Sequence, residues 1–269
     1  MKVRTIVVRK AALGVTACST LIWVGTALAT PTAQQNCDNA RITAWKTYVS
    51  CVDAVVAKHA KGVSFDEFKA FWKCRHAYFR KWTGFQGKAK YAGSSCDQTV
   101  PAIGGRFTDN GDQTVTDNLS ALVWEKKDNL DGSSNNGDPH DADNTYTLST
   151  GSPYEETGTM ITSFLAALDT GGFGGSNFWR PPTLAELQTT MLDFTCTGPG
   201  ESPTCGCTAT APCVDPALDA ANTQSNSYWS ATSDVLNPGA AWSVYLFSGV
   251  VSDFYETLPA YARAVRGGL

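Results

Sequence analysis

The chain has 269 residues, 42% of them hydrophobic, with 21 Lys+Arg, 25 Asp+Glu and nine cysteines. It is long enough for one or two packed domains and too apolar to remain disordered. The net charge of −4 hides a division: residues 30–100 carry 11 basic and 5 acidic side chains, net +6, whereas residues 101–269 carry 6 and 20, net −14. A domain at −14 repels polyanions, which argues against nucleic acid as its partner.

Lys2, Arg4, Arg9 and Lys10 precede an apolar run from Ala11 to Ala29 that ends in Ala27-Leu28-Ala29. A positive segment, an apolar segment and small residues at the end make a secretory signal peptide, with cleavage after Ala29. A competing lipoprotein reading comes from Val15-Thr16-Ala17-Cys18. Export sends the mature chain to the periplasm, the cell surface or the medium of a bacterium, with no transmembrane helix left after cleavage. Eight cysteines then remain: Cys37, Cys51, Cys74, Cys96, Cys196, Cys205, Cys207 and Cys213. An even count in an exported chain predicts disulfides, in two groups of four. Zinc competes for the second group, which lacks C-x-x-C spacing.

Residues 30–100 read as a cysteine-bridged helical hairpin. Ile42, Trp45, Val49, Val52 and Val56 recur at three and four residues, predicting a helix over residues 38–60 with that face buried. Lys61-Gly62 ends it, and Ser64 with Glu67 three residues on predicts a capping box for a second helix bearing Phe65, Phe68, Phe71, Trp72, Phe79 and Trp82. A bend near Gly62 brings Cys51 and Cys74 to one height, because each residue rises about 1.5 Å. The expected pairs are Cys51–Cys74 and Cys37–Cys96. Lys58, Lys61, Lys69 and Lys73 belong to a basic surface open to an anionic envelope polymer or to the acidic domain.

Residues 101–269 form the second domain. Arg106 to Asp109 and Gln113 to Asp117 read as strands around an Asn110-Gly111 turn, and Leu122 to Trp124 as a third. Asp109, Asp112 and Asp117 have the spacing of Asx turns, with calcium as the competing reading. The Gly/Asn/Asp/Ser-rich stretch after Lys127 is a long loop. It is expected to be solvated and acidic, with Asp138, Asp141, Asp143 and Asn144 as a possible calcium set. No other cofactor is implied, and His140 reads as a loop hydrogen-bonding residue. Met160, Ile161, Phe164, Leu165 and Leu168 predict an amphipathic helix ended by Gly171-Gly172, and Thr183 with Glu186 caps a second short one. The GGFGG run opens no helix and is no phosphate loop. Cys205 and Cys207 are too close to pair, which leaves 196–205 with 207–213, or 196–207 with 205–213. Strands follow at Ser227 to Ala231, Ala241 to Phe247, Val250 to Phe254 and Tyr261 to Val265. Trp229 and Trp242 are expected in the core. Arg180, Arg263 and Arg266 read as structural, the last two on opposite faces, one paired with a buried acid and one exposed.

In this order, RFTDNGDQTVTDNLSALVWEK, HDADNTYTLS, FWRPPTLAELQ, YWSATSD, AAWSVYLFSGVV and YARAVRGG closely resemble the Lcl C-terminal domain family over about residues 101–269. The resemblance implies an α+β, C-type-lectin-like fold, an antiparallel sheet with two flanking helices and long loops, here preceded by the disulfide-stapled α-helical hairpin. It also implies kinship with the formylglycine-generating enzymes. The family's namesake is a surface adhesin associated with glycosaminoglycan binding. This chain departs in having Pro181 where relatives carry Leu, no collagen-like repeat, an acidic domain, and none of the sugar-binding triplets of calcium-dependent lectins.

The functional expectation is an exported, non-catalytic binding or adhesion module whose ligand is an extracellular glycan or envelope protein. The alternatives are a structural envelope protein and an oxygenase, which would need a free cysteine pair. His59, His76 and His140 are scattered and suggest no Ser/His/Asp set. Catalytic residues are therefore none, and the oligomeric state is left open.

Overall fold

The computed structural model describes residues 30–191 and 212–269. The expected signal peptide and Cys196, Cys205 and Cys207 lie outside the described residues. Helix α1 (Ala33–His59) starts earlier than its apolar spacing suggested, because Thr32 and Gln35 form a capping box: Gln35 N donates to Thr32 Oγ1 at 3.1 Å and Thr32 N to Gln35 Oε1 at 2.9 Å. Its buried face is Cys37, Arg41, Ala44, Tyr48, Val52 and Val55, so of the expected apolar stripe only Val52 is fully buried. Two residues that a hydrophobicity count omits turn the helix. Tyr48 stacks on Tyr78 at 4.6 Å and donates to the Ala185 carbonyl at 2.8 Å, and Arg41 Nε donates to the Leu119 carbonyl at 3.3 Å.

Gly62, at φ +64°, makes the bend into α2 (Glu67–Phe85). Asp66, not Ser64, caps this helix by accepting from Lys69 N at 2.8 Å. Glu67 is then free to bond His59 at the end of α1, at 2.6 Å. The hairpin carries both expected bridges, Cys51–Cys74 across the bend and Cys37–Cys96 closing the outside. Each closes a loop and so stabilises by about 2–4 kcal/mol.

Strands β1 (Phe107–Asp109), β2 (Thr114–Asp117) and β3 (Leu122–Glu125) follow as an antiparallel meander. The first turn is wider than an Asn-Gly hairpin: positive φ falls on Gly111 and Gln113, because Asp112 accepts from Thr114 N at 3.1 Å and closes the loop there. Asp109 and Asp117 each accept from the backbone N–H two residues on, at 2.9 Å. These three aspartates therefore form Asx turns.

After the long loop comes a π-helical turn, Met160–Leu165, running into α3 (Ala166–Thr170). The expected amphipathic helix is thus only half α. Buried Met160 and Leu165, five residues apart, fit the wider π repeat. Helix α4 (Leu184–Gln188) has the expected Thr183–Glu186 box. Then β4 (Ser227–Ser233), β5 (Ala240–Tyr245) and β6 (Val250–Tyr255) make a second antiparallel sheet with β5 in the middle. The last strand, β7 (Val265–Gly267), pairs with β3 to give the order β1-β2-β3-β7. It lies later than expected because Ala260 and Tyr261 are engaged singly, by Tyr146 and Tyr228.

The fold is thus mixed helix and antiparallel sheet with a disulfide-stapled hairpin in front. The hairpin is not a separate body, since Pro31–Leu269 is one compact unit. Phe71, Tyr78, Phe79 and Trp82 share a core with Leu184, Leu187, Trp242 and Val244. A second core surrounds Trp229, Phe164 and Trp179, and a third surrounds Trp124 and Val265. Trp229 and Trp242 are both buried, as expected.

Candidate functional site

The long loop leaves β3 at Glu125 and returns at the π turn. Its base is a buried charge cluster. Glu125 is fully buried and lies 3.0 Å from Lys127 Nζ and 3.1 Å from His140 Nδ1. Lys127 Nζ also donates to the Pro139 carbonyl at 2.9 Å and sits 4.1 Å from the Phe164 ring centroid. Burial alone would raise the Glu125 carboxyl, but Lys127, His140 and Arg263 outweigh it and hold the group below its usual range. Burial lowers the Lys127 ammonium, with Glu125 opposing the shift.

Above this base the loop is tied by its own carboxylates. Asp141, fully buried, accepts from Asp143 N at 2.8 Å and Asn129 Nδ2 at 3.2 Å. Asp143 Oδ2 accepts from three consecutive backbone N–H groups, Asp131, Gly132 and Ser133, at 2.9, 2.7 and 3.2 Å. Its other oxygen takes Gln224 Nε2 at 2.5 Å. Asp138 accepts from His140 N at 2.9 Å, and Asn144 donates to the carbonyls of Asn135 and Asp138 at 2.9 and 2.8 Å. The four residues singled out for calcium are thus close in one loop but engaged with its backbone. Among the described residues no group of three or more His, Cys, Asp or Glu side chains is arranged to hold a metal ion. Two acceptors in this loop, Asp128 Oδ1 and Asn144 Oδ1, are buried without a donor among the described residues.

Between the tied loop and the π turn lies a cleft of about 230 Å³, lined by Asn136, Pro139, Thr145, Tyr146, Thr159, Ser163, Phe164 and Ala167. Tyr146 and Phe164 stack at 5.0 Å. Burial pushes the Tyr146 phenol up to about 12, so it stays neutral. The lining therefore combines two aromatic rings with hydroxyl and amide groups and carries no formal charge. A larger groove, about 460 Å³, runs between α1 and α4 along Val49, Val52, Val56, Leu184 and Val235, but only Asp53, Thr183 and Thr232 offer it polar side chains.

The three arginines noted in the sequence are structural, with a correction. Arg263 is buried and donates to the carbonyls of Glu125 and Leu218 and to Thr223 Oγ1. Arg266 donates to the Gly174 carbonyl at 2.9 Å and lies over Trp179. Among the described residues neither makes the ion-pair contact expected of one of them: backbone carbonyls take both guanidinium groups, and Arg263 acts on the Glu125 carboxylate only at longer range. Arg180 does pair with an acid, bonding both oxygens of Glu186 at 2.6 and 2.7 Å.

Cys213 is disulfide-bonded, so the five cysteines among the described residues (Cys37, Cys51, Cys74, Cys96 and Cys213) are all oxidised. The connectivity of the 196–213 group lies outside the described residues. A second polar cluster was not legible in the sequence: His59 also places Nε2 3.6 Å from buried Asp234, and its ring meets Trp242 edge-on at 4.8 Å. These partners are far apart in the chain, and no local motif joins them.

Among the described residues, no helix is long and apolar enough to cross a membrane. No curated protein and no solved structure matches the chain. The model of the Lcl C-terminal domain matches residues 113–266, more than half of the sequence, and takes in the whole loop and cleft. The chain belongs to the Lcl C-terminal domain family.

Proposed function

We propose that this protein is an exported, non-catalytic binding or adhesion module with a C-type-lectin-like scaffold, and that its ligand seat is the cleft between the long loop and the π turn. The carrying observation is that cleft: a stacked Tyr146–Phe164 pair with Asn136, Thr145, Thr159 and Ser163 around it. Aromatic rings beside uncharged donors and acceptors suit an uncharged, hydroxyl-rich ligand such as one sugar unit of a glycan. A π turn in the lining supports the choice, since such turns are frequent at functional sites. The oxidised cysteines and the signal-like start support export. The same cysteines support the non-catalytic reading, because the competing oxygenase needs free thiols.

The test is a glycan array of neutral saccharides, run with the wild type and with Ser163→Trp, a change at an exposed cleft residue. Binding by the wild type that the variant loses, with an unchanged circular dichroism spectrum, is the expected result. Equal binding by the variant, or no saccharide bound by folded protein, removes the cleft as the seat. A wild type that binds only an envelope protein makes the ligand a protein instead.

A further inference from the structure

A second ligand surface lies on the hairpin, outside the residues 113–266 that the family model matches. Between α1 and the end of α2 is an open hollow of about 410 Å³, walled by Asn36, Asn39, Thr43 and Thr47 of α1 and by Lys81 and Lys90. The four α1 positions recur at three and four residues and so share one face of the helix. Phe85 and Tyr91, edge to face with ring centroids 5.1 Å apart, also line it. Thr43 and Thr47 spend their hydroxyl protons on the carbonyls of Asn39 and Thr43, at 2.8 and 2.9 Å. The donors left are the Asn39 amide and two ammonium groups. Lys90 Nζ sits 4.7 Å from the Tyr91 ring centroid, and among the described residues neither it nor Lys81 has a carboxylate partner. No Asp or Glu among the described residues lines the hollow.

A smaller hollow of about 170 Å³ adjoins the first and shares Ala44, Thr47 and Lys81 with it. This one is mostly apolar. The Cys51–Cys74 bridge, Ala77 and the rings of Tyr48 and Tyr78, stacked at 4.6 Å, complete its lining. The Tyr48 hydroxyl is committed to the Ala185 carbonyl at 2.8 Å, which leaves the ring as the part the hollow can use. A ligand spanning both hollows therefore meets unpaired positive charge at one end and apolar surface at the other. A neutral sugar would leave the two ammonium groups unanswered, and a wholly apolar molecule would leave the amide and hydroxyl wall without a partner. The net charge of +6 over residues 30–100 draws anions to this face.

We propose that the two hollows together bind a small acidic amphiphile, a carboxylate on an alkyl chain, with the acid at Lys81 and Lys90 and the chain over the Cys51–Cys74 bridge. The two lysines give the carboxylate charge-assisted donors, and the Asn39 amide adds a neutral one. Removing the chain from water against Ala44, Ala77 and the disulfide supplies the apolar part of the affinity. This site is independent of the reading of the cleft, with which it shares no lining residue.

Isothermal titration of the full chain at neutral pH with sodium octanoate, below its micellar range, tests it, with sodium acetate and octylammonium chloride as controls. The expected result is saturable octanoate binding that weakens as salt is added, and much weaker binding of both controls, which lack the chain or invert the charge. Lys81→Met and Lys90→Met each weaken it about threefold to tenfold, the range of a solvent-exposed ion pair. Ala77→Trp fills the apolar end and weakens it as well. All three positions are exposed, so the variants keep the fold, which circular dichroism checks. Octylammonium binding as tight as octanoate, octanoate binding unaltered by the three substitutions, or no octanoate binding would overturn the proposal. Sedimentation with phosphatidylglycerol vesicles in place of octanoate binding would also overturn it, by making the partner a membrane surface.

Discussion

Replacing Asp117 by Ala is the sharpest test of how the hairpin and the sheet are joined. The carboxylate is fully buried and accepts four hydrogen bonds: Arg106 Nε at 3.1 Å, Arg106 Nη2 at 2.8 Å, Leu119 N at 2.9 Å and Ser120 Oγ at 2.8 Å. Arg106 in turn donates to the Thr189 carbonyl at 2.8 Å, just past α4, and lies over Phe79 of α2 and Phe107 of β1, at 4.1 and 4.5 Å. One ion pair thus touches the meander, the hairpin and the α4 region. Burial alone would lower the Arg106 guanidinium, but Asp117 overcomes this and holds it above its usual range. Removing the carboxylate strands that charge, and breaking a buried pair from one side costs about 3–5 kcal/mol. At roughly 2–4 °C per kcal/mol for a domain of this size, the melting temperature falls by about 6–20 °C. Differential scanning calorimetry at neutral pH measures it. The double substitution Asp117→Ala with Arg106→Leu recovers part of the loss, since an apolar pair leaves no stranded charge. A single variant within about 3 °C of wild type, or a double variant worse than the sum of the singles, would refute the reasoning.

Two further outcomes follow. The bond to Glu67, with Asp234 and Asp253 adding to it, raises the His59 imidazole despite some opposing desolvation. Its contribution is therefore fully present below about pH 6.5 and is lost as pH rises through the raised value. With the ring partly open to solvent this amounts to less than about 1 kcal/mol, and His59→Gln flattens that segment of the stability–pH curve. Persistence of the same slope in the variant would assign it to other groups. Calcium is expected to leave the melting temperature unchanged, because Asp141 and Asp143 already accept protein donors on both oxygens. A rise that EDTA reverses would instead place the ion against the orphan oxygens of Asp128 and Asn144.

Periodicity and cysteine spacing made much of the fold legible. The bend at Gly62 brought Cys51 opposite Cys74, and alternation located β5 with Trp242 inward. What stayed hidden was polar. The turn of α1 depends on Tyr48 and Arg41, whose partners Ala185 and Leu119 are distant in sequence. Met160, Phe164 and Leu168, four residues apart, suit an α-helix as they stand, so no local signal announced the π turn. At the site, the loop aspartates were identified as oxygen donors, but only coordinates reveal that backbone N–H groups use those oxygens.

The shared core has a practical consequence for anyone dissecting the molecule. The stretch that the family model delimits begins at residue 113, yet the apolar side of α4 and β5 rests on Phe71, Tyr78 and Phe79. A fragment cut at that border would present Leu184, Leu187 and Val244 to water and stick to itself. The hairpin of α1 and α2 thus acts as a built-in cover for the domain that follows it.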